Sequence, residues 1–225
     1  MPKKIIAFVS SENSLGKSDA TGAFIPESIK FLEDIGMSNG SKRISLNLGT
    51  KDIHQRLAYS LAAIDTQVSQ GITYDCVAFF CHGWQKGIQL GVSLDLGMEE
   101  FAAAIKKLLN PKGIVALYAC STAGDNDGND DEKIPTFSSS GGFAYELSKL
   151  LPEIAVFGHT IPGHTTTNPY AQRFCTEENG GNGQWYVVPG SLLWAKYTSA
   201  MRGSFRFQVP FLKPVEVLDV MKRLK

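Results

Sequence analysis

Neither sign of charge is in excess in this 225-residue chain, where 22 Lys and Arg face 22 Asp and Glu. Bulk electrostatics therefore supplies no pull toward nucleic acid or an anionic membrane surface, and neither is expected as a partner. No apolar run approaches the roughly 18 residues that a membrane-spanning helix needs. Lys3-Lys4 ahead of residues 5–9 imitates the start of a signal peptide, but the run breaks at Ser10-Ser11-Glu12, too early for one. It reads as a first strand. The four cysteines (Cys76, Cys81, Cys120 and Cys175) form no C-x-x-C pair. A reduced, cytoplasmic protein without a thiol-based metal motif is expected.

Several catalytic signatures are missing too. No G-x-S-x-G elbow follows an expected strand, which disfavours a serine hydrolase of the α/β type. Gly16-Lys17-Ser18 mimics the end of a phosphate loop, but Ser11 stands where the first glycine belongs. No G-x-G-x-x-G follows the first strand.

What is present is an alternation. At 43% hydrophobic the chain can bury a core, and its length suits one domain over 1–225. Strands are expected at 5–9, 44–48, 76–81, 114–119 and 154–157, each an apolar run bounded by breakers. Helices are expected between them. One starts near Pro26 and ends near Gly36, and another spans 51–70 with Ile53, Leu57, Leu61, Ile64 and Val68 at helical spacing, Thr50 or Asp52 as its cap and Gly71 at its end. Two more cover 98–109, stopped by Asn110-Pro111, and 142–151, while 88–90 and 93–96 read as short flanking pieces. The pattern implies an α/β layered fold with a mostly parallel central sheet flanked by helices and its functional loops beyond the carboxyl ends of the strands. The core is expected over roughly 5–160. Strands and helices over 183–225 complete it, with a strand at 185–188, a helix at 192–201, an edge strand at 205–209 and a terminal helix at 215–224.

Two polar breaks stand directly behind strand-like runs, Val77-Ala78-Phe79-Phe80-Cys81-His82-Gly83 and Val115-Ala116-Leu117-Tyr118-Ala119-Cys120-Ser121. If those runs are neighbouring strands, His82 and Cys120 leave the sheet at one edge, where an imidazole can serve a thiol as base. Cys81 should point away from His82, and Cys76 lies at the far end of the same strand; both read as core.

The stretch from Ile114 to Gly124, then Gly141-Gly142-Phe143-Ala144-Tyr145-Glu146-Leu147, then Ile154-Ala155-Val156-Phe157-Gly158, resembles the caspase-like cysteine peptidases, above all bacterial CHAT-type domains. The likeness spans roughly 75–160. It implies a caspase-like fold and a cysteine endopeptidase with a Cys120–His82 dyad, hydrolysing peptide bonds of a peptide or protein substrate. By the same resemblance the backbone N–H groups of Gly83 and Cys120 receive the oxyanion, and a protein activator or companion is a further expectation. Such families also carry inactive relatives, so the alternative is a catalytically silent module of the same fold that binds a peptide or protein partner.

The loops behind these strands supply the remaining expectations. The acidic stretch 125–132 opens like a calcium loop, but Asp130 stands where an EF-hand requires Gly and Thr136 where it requires Glu. Calcium near Asp125, Asp127 and Asp130 in another geometry stays open beside a solvated acidic loop. Asp125 and Asp127 are also placed to attract a basic residue of a substrate, and Lys133 is a conceivable processing point. His159, Thr160 and His164 belong to a shaped loop expected to wall the substrate pocket, with Trp84 and Trp185 as aromatic flanks. No metal centre is expected, because the spacing of His159, His164 and Cys175 fits no common zinc signature.

Overall fold

A computed structural model describes residues 4–11, 22–35, 39–124, 142–160, 169–176, 184–191 and 193–194. In chain order these form β1 (Ile5–Ser10), α1 (Phe24–Ile35), β2 (Lys42–Leu46), α2 (Ile53–Val68), β3 (Tyr74–Phe80), β4 (Gly83–Trp84), β5 (Gly87–Ile88) and β6 (Val92–Ser93). They continue with α3 (Met98–Leu108), β7 (Leu109–Tyr118), α4 (Phe143–Leu150), β8 (Ala155–Gly158), β9 (Tyr170–Phe174) and β10 (Gln184–Val187). Seven strands make one sheet in the order β10-β9-β8-β7-β3-β1-β2. The five strands from β8 to β2 are parallel, and β9 and β10 add antiparallel at one edge. The protein is a layered α/β fold with a mostly parallel central sheet flanked by helices.

The central strands read as unbroken apolar runs because both faces are covered. Ile6 and Phe8 of β1, Val77 and Phe79 of β3 and Val115 and Leu117 of β7 share one core with α3 and α4. Ile5, Ala7, Val9, Cys76, Ala78, Phe80, Ala116 and Tyr118 share the opposite core with Phe24, Phe31 and Leu32 of α1. Strand alternation thus divides one run of residues between two cores. Stacked rings tie neighbouring strands: Phe8 of β1 lies on Phe79 of β3 at 5.4 Å, and Phe80 of β3 on Tyr118 of β7 at 4.4 Å. Each buried phenylalanine contributes about 1.5–3 kcal/mol by leaving water.

Asp52 caps α2, accepting from the Gln55 backbone N–H at 2.9 Å, while the Gln55 side chain answers at the Asp52 N–H. This reciprocal box is worth about 1 kcal/mol. Gly91 and Gly97 hold the helix against the rest of the protein. A Cβ on Gly91 would lie 2.4 Å from both Ile53 O and Leu57 N, and one on Gly97 would lie 2.5 Å from the Leu57 side chain. The Ser60 hydroxyl adds a bond to Leu90 O at 3.1 Å.

Two expectations change. Asn110-Pro111 do not separate α3 from a later strand, because β7 begins at Leu109 and contains them. Its pairing with β3 slips between Tyr74 and Cys76, and Lys112 takes a left-handed φ of 60°, so the breakers make a bulge inside the strand. The second difference is β9, which carries the fully buried Gln172 and the charged Arg173 and so lacks the apolar pattern of a covered strand. Of the helix expected at 192–201 only Leu193 and Trp194 are described, and the helix at 215–224 and the strand at 205–209 lie outside the described residues.

Candidate functional site

Strands β3 and β7 are neighbours, with Phe80 opposite Tyr118, so His82 and Cys120 each follow two residues later at the same carboxyl edge. The two exit segments touch. A Cβ on Gly83 would fall 2.7 Å from Ala119 Cβ and 2.9 Å from Cys120 O. Only glycine passes there. The Gln89 side chain accepts from the His82 N–H at 3.1 Å, and the Gln89 N–H donates to His82 O at 2.9 Å, which folds β4, β5 and β6 into a small antiparallel sheet over the edge. The half-buried His82 ring meets Phe24 of α1 edge-on at 4.9 Å.

The turn after Cys120 is held from several sides. Ser121 takes φ 54°, a left-handed conformation unusual for a residue with a Cβ. The Thr122 hydroxyl donates to Ala119 O at 3.1 Å, and the Ala123 N–H to His159 O at 2.8 Å. The first N–H groups of α4 also close on these loops, Phe143 N donating to Gln85 O and Ala144 N to Thr122 O, both at 2.8 Å. The helix start therefore clamps the loops behind β3 and β7 together, and those donors are spent within the protein.

Environment separates the cysteines. Cys76, Cys81 and Cys175 are buried and Cys120 is half-buried, all four with free thiols. Burial pushes the Cys76 and Cys81 thiols well above their ordinary value, which disfavours their thiolates. Cys120 alone of the four is not fully buried.

His159 follows β8 and is turned inward, 3% exposed. Its Nδ1 lies 2.6 Å from Tyr170 O and its ring meets Tyr118 edge-on at 5.8 Å. A carbonyl only accepts, so Nδ1 carries the proton. Burial lowers the pKa of this imidazole to about 4. Thr160 is half-buried, its carbonyl close against Gly124. Asp125, Asp127, Asp130, Lys133 and His164 lie outside the described residues, and with them the expected calcium and selectivity roles. Among the described residues no group of three His, Cys, Asp or Glu side chains is arranged to hold a metal ion.

A crevice of about 300 Å³ opens beside His82, between the first turn of α2 and the small sheet, lined by Ile53, Arg56, His82, Trp84, Ile88, Gln89 and Gly91. Trp84 and Ile53 expose 42% and 43% of their surface at its mouth. The Arg56 Nε donates to Lys51 O at 2.8 Å, leaving the two terminal amino groups of the guanidinium without a partner among the described residues. The sequence reading placed His82 and Trp84 at the edge but missed Arg56 and Gln89. Arg56 carries one usable signal: the first turn of a helix that follows a parallel strand must stand at the carboxyl edge.

No family model matches the chain, and no curated protein does. Among solved structures, two crystal forms of a putative phosphomethylpyrimidine kinase from Bacteroides thetaiotaomicron VPI-5482 are similar to it. The orthorhombic form, with pyridoxal, has a TM-score of 0.34 and 13% identity, over 91% of this chain and 80% of that one. The rhombohedral form has a TM-score of 0.36 and 12% identity, over 100% and 94%. These neighbours are not caspase-like cysteine peptidases, and the comparisons correct that resemblance together with the endopeptidase activity drawn from it. A likeness of this extent does not bring a kinase activity to this chain either. The nucleophile, base and oxyanion roles given to Cys120, His82 and Gly83 lose the reaction they served; their shared edge remains.

Proposed function

We propose that this protein is a binding domain that takes a small organic molecule, or the end of a peptide chain, in the crevice between α2 and the β4–β6 sheet. The observation that carries the reading is the position of that crevice. The crevice lies beyond the carboxyl ends of β2 and β3, between the start of the helix that follows β2 and the short strands that follow β3, and the carboxyl edge is where open α/β sheets bind their ligands. Arg56 approaches from α2, and His82, Trp84 and Gln89 from the segment behind β3. Apolar walls with a few convergent polar groups suit an organic ligand, and about 300 Å³ is the lower end of the usual pocket range.

His82 and Trp84 are assigned here as ligand contacts. Four free cysteines, three of them buried, fit a reducing cytoplasmic setting. No described helix is long and apolar enough to cross a membrane. Saturation-transfer NMR against a panel of metabolites and short peptides tests the reading, with Trp84→Ala as the control. Ligands that bind the parent and weaken at least about tenfold in Trp84→Ala support it. Binding indifferent to Trp84→Ala, or no binder at millimolar concentration, overturns it.

A further inference from the structure

Resting on that reading, we propose that the crevice selects a carboxylate: a monoanionic acid with an apolar body, its carboxylate received by the terminal amino groups of Arg56. The charges around the crevice carry the argument. Among the described residues, ion pairs join Lys30 to Asp34 and Lys149 to Glu146, and neither involves Arg56. Lys51, the nearest other cation in sequence, donates to Asn47 O at 2.9 Å and stands 4.9 Å over the Tyr59 ring. The first turn of α2 holds no acidic residue, and the Asp52 carboxylate before it is spent on the cap. Among the described residues, therefore, the guanidinium that faces the crevice has no ion-pair partner.

That guanidinium is also aimed. Its Nε is tied to Lys51 O, and its helix is pinned at Gly91, at Gly97 and through Ser60. Such a fork meets the two oxygens of a carboxylate with two parallel hydrogen bonds and little loss of freedom. A single cation does not neutralise a phosphate dianion. The exposed Trp84 indole and the Ile53 and Ile88 side chains offer the ligand's body an apolar surface. The acid is either a free organic acid or the C-terminus of a peptide; both present the same two oxygens.

The test is titration of Trp84 fluorescence with 3-phenylpropionate, 3-phenylpropionamide, inorganic phosphate, and acetyl-Ala-Ala-Phe as its free acid and as its amide. The full chain is used, alongside Arg56→Gln and Arg56→Lys, with Trp84→Ala to identify the signal. The expected result is that an acid binds at least about tenfold tighter than its amide, that Arg56→Gln erases the preference, and that Arg56→Lys keeps part of it. Preference for phenylpropionate identifies a free acid, and preference for the peptide acid a chain terminus. Equal binding of acid and amide, a preference that survives Arg56→Gln, or tighter binding of phosphate overturns the carboxylate and leaves the crevice standing. A Trp84 signal that no probe moves removes both.

Discussion

Two histidines stand just behind strands of the same sheet, each against an aromatic ring, and they have become different objects. His82, behind β3, is half-buried against Phe24 and borders an open crevice of about 300 Å³. His159, behind β8, is buried against Tyr118, hydrogen-bonded to Tyr170 O, and borders an internal void of about 10 Å³. The chain around them explains the divergence. Behind β3 the residues fold back as β4–β6 and leave a gap toward α2. Behind β8 the antiparallel strand β9 returns alongside and supplies the carbonyl that holds the ring inside. An imidazole after a strand is thus a binding group or a structural one according to what covers it.

The contrast can be broken most severely at Gly91, which lets α2 form the far wall beside His82. Gly91→Ala adds a Cβ 2.4 Å from Ile53 O and Leu57 N at a residue whose φ is 86°. We expect a loss of about 3 kcal/mol or more in urea unfolding, because both backbone strain and a backbone clash are imposed. A loss under about 1 kcal/mol would mean that α2 is not held as described.

His159 sharpens the comparison through pH. Its native ring takes a proton only near pH 4, against 6.5 for the ordinary side chain. Between those values the unfolded chain binds more protons, so the stability this group contributes is complete above pH 6.5 and falls as the pH drops toward 4. The loss across that window is on the order of 3 kcal/mol. Denaturant curves from pH 7 to 4 should show the parent losing stability by that amount relative to His159→Gln, and parallel slopes in the two proteins would refute the buried neutral imidazole.

A smaller effect is expected where the two exit segments cross. Gly83→Ala places a methyl 2.7 Å from Ala119 Cβ and 2.9 Å from Cys120 O, and should cost about 1–3 kcal/mol. Neighbouring segments that moved apart without cost would show instead that this crossing is loosely packed.

Much of the architecture was legible. Strands β1, β3 and β7 were visible because double-sided burial demands uninterrupted apolar residues, and α2 because Asp52, the apolar spacing and the end near Gly71 agree. Strand β9 was hidden since Gln172 and Arg173 interrupt the pattern, although hydrogen bonding to β8 and β10 needs only backbone. The two-residue strands β4, β5 and β6 are too short to carry any periodicity. At the site, the shared edge of His82 and Cys120 followed from their strands. The caspase-like resemblance did not survive comparison, since two short motifs in a common α/β alternation do not specify a family.

The residues by themselves determined the layered α/β class, the inward faces of the central strands and the burial of Cys76 and Cys81, because alternation along a strand and apolar runs are local properties of the chain. Tertiary structure alone decided that β2 and β3 lie on either side of β1, that Arg56 comes to His82 and Trp84 across a crevice, and that His159 is sealed in while His82 is not. Those outcomes depend on which segments lie beside one another, and that is settled by packing between residues far apart in the chain.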